Sequence, residues 1–386
     1  MFISVLSMAI SAVSGISIAP VLAVALGGSL LLEKAGNFTG IIGVNYASTV
    51  LLDAYAYIGD ALAGKINANE LRRPLTGGLG AFIDSAPNLI MGGEQRLEAL
   101  KKSSAQTTKV PVLNKLSAAN LTARTCGTTN AGDSATVTLT YDTYAEPFSI
   151  SHLMMKNNQI DYAIALRHGL MECFRNLHQR IDVAAVAYLE SNKSSVNDGS
   201  INQWNGPSDT MNVTNANLNQ YFASITTELA ENDFNGQLYN VHTVSQMLQQ
   251  ILQGNEGSAN NKNLAPQMSN FAHYATNNFS VPSGTQSSSY IFIPGTVGVV
   301  GPWINGLHRE GHENGTDVWT TIPDPFIPGW VWELKIQKAC TDSSSSVTGG
   351  QADLVDKYVI SGEFAFVKAY TSTSDTGIYK YAQLHA

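Results

Sequence analysis

The sequence predicts an α+β chain in which one helix too long for a single small domain joins sub-domains built from helices and strands. Two observations carry this. Between Gln159 and Asn192, the residues Ile160, Ala163, Arg167, Leu170, Phe174, Leu177, Ile181, Ala184 and Tyr188 recur at spacings of 3, 4, 3, 4, 3, 4, 3 and 4, and all but Arg167 are apolar or aromatic. That is one face of an amphipathic helix. Just upstream, Ser134 to Tyr144 (SATVTLTYDTY) alternates Val137, Leu139 and Tyr141 with Thr136, Thr138, Thr140 and Asp142, the period of a half-buried strand. At 386 residues the chain exceeds the roughly 150 residues of a common domain, so two or three sub-domains are expected.

Residues 1–104 are expected to form an N-terminal arm. No charged residue occurs from Phe2 to Leu32, and Ile16 to Leu32 (ISIAPVLAVALGGSLLL) has the length and character of a membrane segment. Against that, no Lys or Arg precedes it, Pro20, Gly27 and Gly28 interrupt it, and Ser recurs at 4, 7, 11, 14 and 17. An uncleaved arm buried against other subunits is the expectation, ahead of a signal or anchor. Val44 to Leu100 has Gly-rich turns at Thr76–Gly80 and at Gly92 and Gly93, and reads as irregular arm with short helices.

Residues 105–152 are expected to make an extended β-hairpin. The partner of the 134–144 strand is either Lys109–Leu113 or Leu121–Thr125, joined through the turn-forming Gly127–Gly132 stretch. A two-stranded ribbon is poorly stable alone and needs a surface to lie on. Residues 153–213 hold the long helix, a spine of roughly 50 Å at about 1.5 Å per residue, with a peripheral domain around it. Residues 214–338 are expected to form an α/β layer: a helix with Leu218, Phe222, Ile225 and Leu229, a strand at Gln237–Val241, a helix at Thr243–Leu252, and strands at Tyr290–Ile293 and Val331–Ile336. Residues 339–386, with Tyr358–Tyr370, complete the sheets.

Charged residues reach only 13%, against about 25% in ordinary soluble domains. A subunit covered by its neighbours needs less charge than a monomer alone in water, because interface centres are depleted in Lys, Glu and Asp. A secreted chain solubilised by Asn, Ser and Thr is the other explanation. The net charge of -8 argues against tight nucleic-acid binding, which needs Lys and Arg on phosphates. Cys126, Cys173 and Cys340 are too few and too far apart for a disulfide framework or a CxxC site, and are expected to be buried small apolar groups.

His308, Glu310, His312, Glu313 and Asp317 fall within ten positions, and such a set has the chemistry to hold Zn or Mn. The spacing is not HExxH, and Gly311, Asn314 and Gly315 make a flexible turn. A solvated or inter-subunit loop is the expectation, with a metal-dependent hydrolase as the lesser reading. There is no GxSxG elbow and no Walker A motif, and Gly77, Gly78 and Gly80 follow no strand. His168 and His178 are expected on the spine's flank as surface or interface residues, and Asp353 and Asp356 beside a turn. Sequons at Asn37, Asn120, Asn192, Asn212, Asn278 and Asn314 matter only in a secreted chain. No residue is assigned a catalytic, cofactor-binding or metal role, and the chain is expected not to be an enzyme.

The order of arm, ribbon, spine and α/β layer resembles the Hong Kong 97-type major capsid fold of tailed bacteriophages. The resemblance is most specific at Tyr141–Asn192 (YDTYAEPFSISHLMMKNNQIDYAIALRHGLMECFRNLHQRIDVAAVAYLESN), where Arg180, Asp182, Ala184, Ala185, Val186 and Leu189 resemble the family's basic, acidic, small and bulky pattern. Gln237–Leu252 (QLYNVHTVSQMLQQIL) resembles the strand and helix of its axial domain. The resemblance implies a subunit that self-assembles into hexamers and pentamers of an icosahedral capsid around double-stranded DNA. It implies residence in the virion, assembly in the host cytoplasm, non-specific proximity to packaged DNA, and no membrane. Portal and decoration proteins, and a separate scaffolding protein, are the further partners it implies. Some members cross-link through Lys and Asn; Lys109 and Lys115 lie in the ribbon region, but nothing fixes partners for them. Encapsulin shells resemble the same fold, so a cargo-holding shell is a close variant. A secreted or membrane-anchored surface adhesin is the alternative from another class.

Overall fold

The computed structural model describes residues 75–89, 107–113, 134–151, 162–194, 211–213, 222, 225–226, 229–230, 236–246, 270–279, 285–305, 312–314, 317–342, 353–369 and 376–384. In chain order the elements are α1 (Gly77–Leu89), β1 (Thr107–Leu113), β2 (Ser134–Thr140), β3 (Asp142–Ser151), α2 (Tyr162–Ser191), β4 (Met211–Val213), β5 (Leu238–Thr243) and β6 (Phe271–Thr276). They continue with β7 (Thr285–Phe292), β8 (Val297–Trp303), β9 (His312–Asn314), β10 (Asp317–Pro323), β11 (Val331–Asp342), β12 (Asp353–Lys368) and β13 (Ile378–Leu384). The mixture is α+β. The apolar residues 1–32, the ribbon tip and most of the helix expected at 243–252 lie outside the described residues.

The chain divides into two compact units: residues 1–73, 143–177 and 301–363 in the first, and 74–142, 178–300 and 364–386 in the second. Helix α2, 30 residues long, contributes residues 162–177 to the first and 178–191 to the second. The expected helix therefore forms over nearly its whole predicted span.

In the first unit the strands run in the order β3-β12-β11-β10-β9. β10 and β11 form an antiparallel hairpin, Asp317 opposite Gln337 and Pro323 opposite Val331. Along β11, Trp332, Leu334 and Ile336 are buried while Glu333, Lys335 and Gln337 between them are partly exposed, the period-2 pattern of a sheet with one covered face. Burying each large apolar side chain is worth roughly 1.5–3 kcal/mol. The Phe174 ring of α2 meets the fully buried Trp332 edge-on, with centroids 6.4 Å apart. The hairpin turn is fixed by Asp324, whose Oδ1 accepts from Phe326 N (2.7 Å) and Ile327 N (3.0 Å) and whose Oδ2 accepts from Trp332 Nε1 (2.8 Å). An Asp that bonds its own backbone two or three residues on is a turn former by mechanism.

In the second unit five strands run in the order β4-β13-β7-β5-β6. β13 with β7 and β5 with β7 are antiparallel, while β5 with β6 and β13 with β4 are parallel. The helical residues Phe222, Ile225 and Leu229 cover one face, packing with Leu238, Phe271, Ile291, Tyr379 and Tyr381. Alternate residues point the other way: Tyr274 Oη donates to Asp84 of α1 (2.7 Å), and Lys380 reaches Glu190 of α2. A small α/β layer was expected, but β4 is only three residues long, and β6 (FAHYAT) and β13 (IYKYAQL) show no strict apolar-polar alternation by which sequence pattern could single them out.

The 134–144 strand pairs with Thr107–Leu113, not with Leu121–Thr125, placing Lys109 opposite Thr138. It breaks at Tyr141: β1 and β2 make a two-stranded sheet of their own, and β3 enters the sheet of the first unit. Leu139 and Tyr141 are buried with Ala365 and Val367, whereas Thr136, Thr138 and Thr140 are exposed, as the alternation predicted.

Candidate functional site

The described residues show no group of three or more His, Cys, Asp or Glu placed to hold a metal ion. What they show instead is a pair of carboxylates on the second half of α2 that tie distant segments together. Asp182 is fully buried. Its Oδ1 accepts from Leu79 N at 2.7 Å, and its Oδ2 accepts from Thr276 Oγ1 at 2.5 Å and Asn278 Nδ2 at 2.7 Å. Gly78 N is a fourth donor. Burial pushes the Asp182 pKa up from its ordinary value, while the four hydrogen bonds work to hold it down.

The donors Gly78 N and Leu79 N lie in the first turn of α1, where backbone N–H groups have no partner within the helix and the macrodipole favours negative charge. Asp182 thus caps a helix about a hundred residues away in sequence. The Thr76–Gly80 stretch, expected as a turn, is that first helical turn. Its glycines serve close approach: a Cβ on Gly77 would collide with the backbone of Tyr274 and Ala275, and one on Gly78 would stand 2.9 Å from Asp182 Oδ1.

Two turns further along α2, Glu190 Oε2 accepts from Lys380 Nζ (2.8 Å) and from Tyr290 Oη, and Glu190 Oε1 accepts from Lys193 Nζ (2.7 Å). Lys380 is buried in the middle of β13, its Nζ also 5.6 Å from the centroid of the Tyr290 ring. Burial alone would raise the Glu190 pKa, but the bonds from Lys193, Lys380 and Tyr290 bring it down to about 2. In the first unit, Tyr162 Oη donates to Asp356 Oδ2 at 2.9 Å and lies 2.5 Å from Tyr358 Oη, whose ring stacks on Phe148 with centroids 4.9 Å apart.

These placements revise several sequence expectations. Asp356 lies within β12 rather than beside a turn. His168 is exposed as expected, but His178 is buried, because it follows Phe174 and precedes Asp182 by one helical turn each on the covered face. Cys173 is buried and free, and burial pushes its thiol up to about 12. Of the 308–317 cluster, His312–Asn314 form β9, paired in register with Asp317–Trp319. Residues 312–314 are thus strand, while Gly311 and Gly315 of the expected turn lie outside the described residues. Asp317 is engaged by Lys335 Nζ (2.9 Å) and Gln337 Nε2 (2.9 Å), while His308 and Glu310 lie outside the described residues.

The Asp182 hub had a trace in the sequence. His178, Asp182, Ala185 and Leu189 run at spacings of 4, 3 and 4, beside the apolar row that marked the helix, and all four are buried. An acidic residue inside a buried stripe demands donors; nothing in the pattern said where they came from. Glu190 and Lys380 had no such trace.

Two surfaces face outward. The exposed positions of α2 from its middle onward are Asn176, Gln179, Arg180, Val183, Ala187 and Ser191, a stripe with one charge and with Val183 46% exposed. On the ribbon, Thr107, Lys109, Thr136, Thr138 and Thr140 are the exposed positions among the described side chains. No helix among the described residues is long and apolar enough to cross a membrane.

No protein-family model matches the chain, and no curated protein matches it. Among solved structures it is similar to one from Mycobacterium phage Adephagia, at 13% identity and a TM-score of 0.46, covering 82% of this chain and 92% of that one. One from Mycobacterium phage Che8 is 10% identical with a TM-score of 0.46, covering 77% and 90%. The capsid of Ralstonia phage GP4 is 9% identical with a TM-score of 0.46, covering 78% and 90%. These are likenesses of chain path, and no residue role passes from them to this chain.

Proposed function

We propose that this chain is a structural subunit of a closed shell, the major capsid protein of a tailed bacteriophage in the manner of the Hong Kong 97-type fold, and that its work is self-assembly rather than catalysis. The observation that carries the reading is the combination of a two-stranded ribbon, β1 with β2, and a 30-residue helix that belongs to two units. A two-stranded ribbon is marginal in water unless its faces are covered. Its inner face, with Val137 and Leu139, packs on Ala365 and Val367 of β12, while Thr107, Lys109, Thr136, Thr138 and Thr140 are exposed among the described residues, which leaves that outer face for a neighbouring subunit. The sparse charge of the chain, 13%, and the nearly uncharged stripe on α2 agree with surfaces that are covered after assembly.

In this reading the subunits form hexamers and pentamers of an icosahedral capsid, with the α/β layer, expected over residues 214–338 and built from β4, β13, β7, β5 and β6, at their centres and the N-terminal arm on a neighbour. Scaffolding, portal and decoration proteins are its partners, and the virion is its location after assembly in the host cytoplasm. The genome is held by enclosure: at a net charge of -8 the subunit has little to offer phosphates. Affinity comes from modest apolar contacts repeated at every symmetry-related interface.

The test is to express the full chain and examine it by light scattering and negative-stain electron microscopy. Closed particles or rings of five or six subunits are expected. A stable monomer, or one that needs detergent, would sink the reading and move residues 1–32 to the centre of the account.

A further inference from the structure

On the face of the five-stranded sheet that Phe222 covers, two histidines sit on adjacent parallel strands. His242 is 1% exposed, and its ring lies 5.8 Å from that of His273, centroid to centroid, in an edge-on arrangement. Register explains the meeting: Asn240 stands opposite His273, and His242 is two residues further along β5 on the same face. Asn240 and Gln246 complete the group, both fully buried. Asn240 Nδ2 donates to Gln246 Oε1 at 3.4 Å and lies 3.3 Å from His273 Nδ1. Asn240 Oδ1 and Gln246 Nε2 have no hydrogen-bond partner among the described residues.

We propose that the His273–Asn240–Gln246 chain, with His242 beside it, is a protonation-sensitive relay in the core of the second unit, and that acidification loosens strands β5 and β6 through it. With His273 neutral, its Nδ1 accepts from the Asn240 amide. A proton taken from solvent onto Nδ1 makes it a donor facing a donor. Asn240 must then turn its amide to present Oδ1, and Gln246 must turn in concert to present Nε2. Both atoms are the unpartnered ones, so the second arrangement exists within the same side chains, but it buries a positive ring beside a second imidazole.

Phe222 and Phe271 lie against the His273 ring, Ser289 of β7 stands opposite His242 and Ile291 opposite Asn240, and further along the same face of the sheet are Ser287 of β7 and Tyr379 and Tyr381 of β13. The titratable members are the two tyrosines and the rings themselves. The charged pair of the same sheet, Glu190 and Lys380, stands on the opposite face, since Lys380 alternates with Tyr379 and Tyr381.

Burial holds both rings below the ordinary histidine value, and the neighbouring His242 adds to burial in bringing His273 down to about 4. A folded value below the unfolded one of about 6.5 means that protons favour the open chain. The neutral pair therefore contributes its stability above pH 6.5 and loses it progressively as pH falls toward 4. This is independent of the shell reading, because it concerns the interior of one unit.

The experiment is hydrogen exchange by mass spectrometry on the full chain between pH 7 and 5, each peptide normalised to its unfolded exchange rate. Peptides covering β5 and β6 are expected to lose protection as pH falls, by up to about tenfold per pH unit for each proton taken up, while peptides of β11 and β12 in the first unit hold theirs. His273→Gln should flatten the dependence. Equal loss in both sheets, no loss, or an unchanged slope in the variant would overturn the proposal; should the variant fail to fold, the comparison of the two sheets in the native sequence decides alone.

Discussion

Leu79 N donates to Asp182 Oδ1 at 2.7 Å across 103 positions of sequence. That bond makes a spine-helix carboxylate the N-terminal cap of a different helix, α1, and the same side chain also holds Thr276 at the end of β6 and Asn278 just past it. Replacing it by Ala would leave four donors facing a void. Since each buried donor without a partner costs about 1–3 kcal/mol, Asp182→Ala is expected to lose on the order of 3–5 kcal/mol. Asp182→Asn keeps one acceptor oxygen but sets an amide N–H2 against the remaining donors, so it should fall between. Urea unfolding midpoints check the order; an Ala variant as stable as the native chain would remove the hub from the account.

Glu190 gives a pH dependence with a defined sign. Its folded value near 2 lies below the ordinary carboxylate value, so its bonds stabilise the fold above about pH 4.5 and the contribution fades as pH falls through that range toward 2. The side chain is 44% exposed, so solvent screening keeps the effect modest. The melting temperature of Glu190→Gln should lie below the native one at pH 7 and converge with it toward pH 3. A gap that stays constant with pH would place the effect in packing instead.

Gly169 sits inside α2, where Ala is ordinarily the better residue by about 1 kcal/mol. Here the order should reverse. A Cβ at 169 would stand 3.0 Å from Phe148 Cγ and closer still to Cδ2 and Cε2, and that ring is already stacked on Tyr358. Forcing it aside is overpacking, with a typical cost of about 1–3 kcal/mol. Gly169→Ala should therefore destabilise, and pairing it with Phe148→Leu should recover part of the loss. A stabilising Gly169→Ala would show that the ring moves freely.

The contrast between Gly169 and Leu170 shows what the sequence could and could not tell. Leu170 belongs to a row with Phe174, Leu177 and Ile181 whose period is intrinsic to the helix, so its burial could be read without knowing the neighbours. Gly169 means something only once Phe148 is placed against it. Likewise Val137, Leu139 and the three exposed Thr gave the ribbon strand, but nothing local chose Thr107–Leu113 over Leu121–Thr125. Strand β7 was visible only at its Tyr290–Phe292 end, because Ser287, Ser288 and Ser289 are fully buried polar residues that no hydrophobic pattern reports. Asp182 was visible as an oddity and Lys380 was not visible at all. Local periodicity is written in the chain; long-range hydrogen-bond partners are set by topology.

The ribbon offers the sharpest test of assembly. Thr136 and Thr138 are exposed on strand β2, with Pro111 and Lys109 opposite them on β1, and exposed substitutions away from special features usually change stability by less than about 0.5 kcal/mol. In the shell reading this face lies against a neighbour, where the added carboxylates must lose their water at every copy of the contact, and Lys109 opposite position 138 can offset only one of the two. The double variant Thr136→Asp/Thr138→Asp is therefore expected to keep the native circular dichroism spectrum and melting temperature while failing to form particles in light scattering and electron microscopy. A soluble, folded subunit that no longer closes into shells would locate the assembly contact on the ribbon. Particles that form as readily as before would mean that this face stays open to solvent in the shell, and the neighbour's support would have to be sought along the exposed stripe of α2 around Val183.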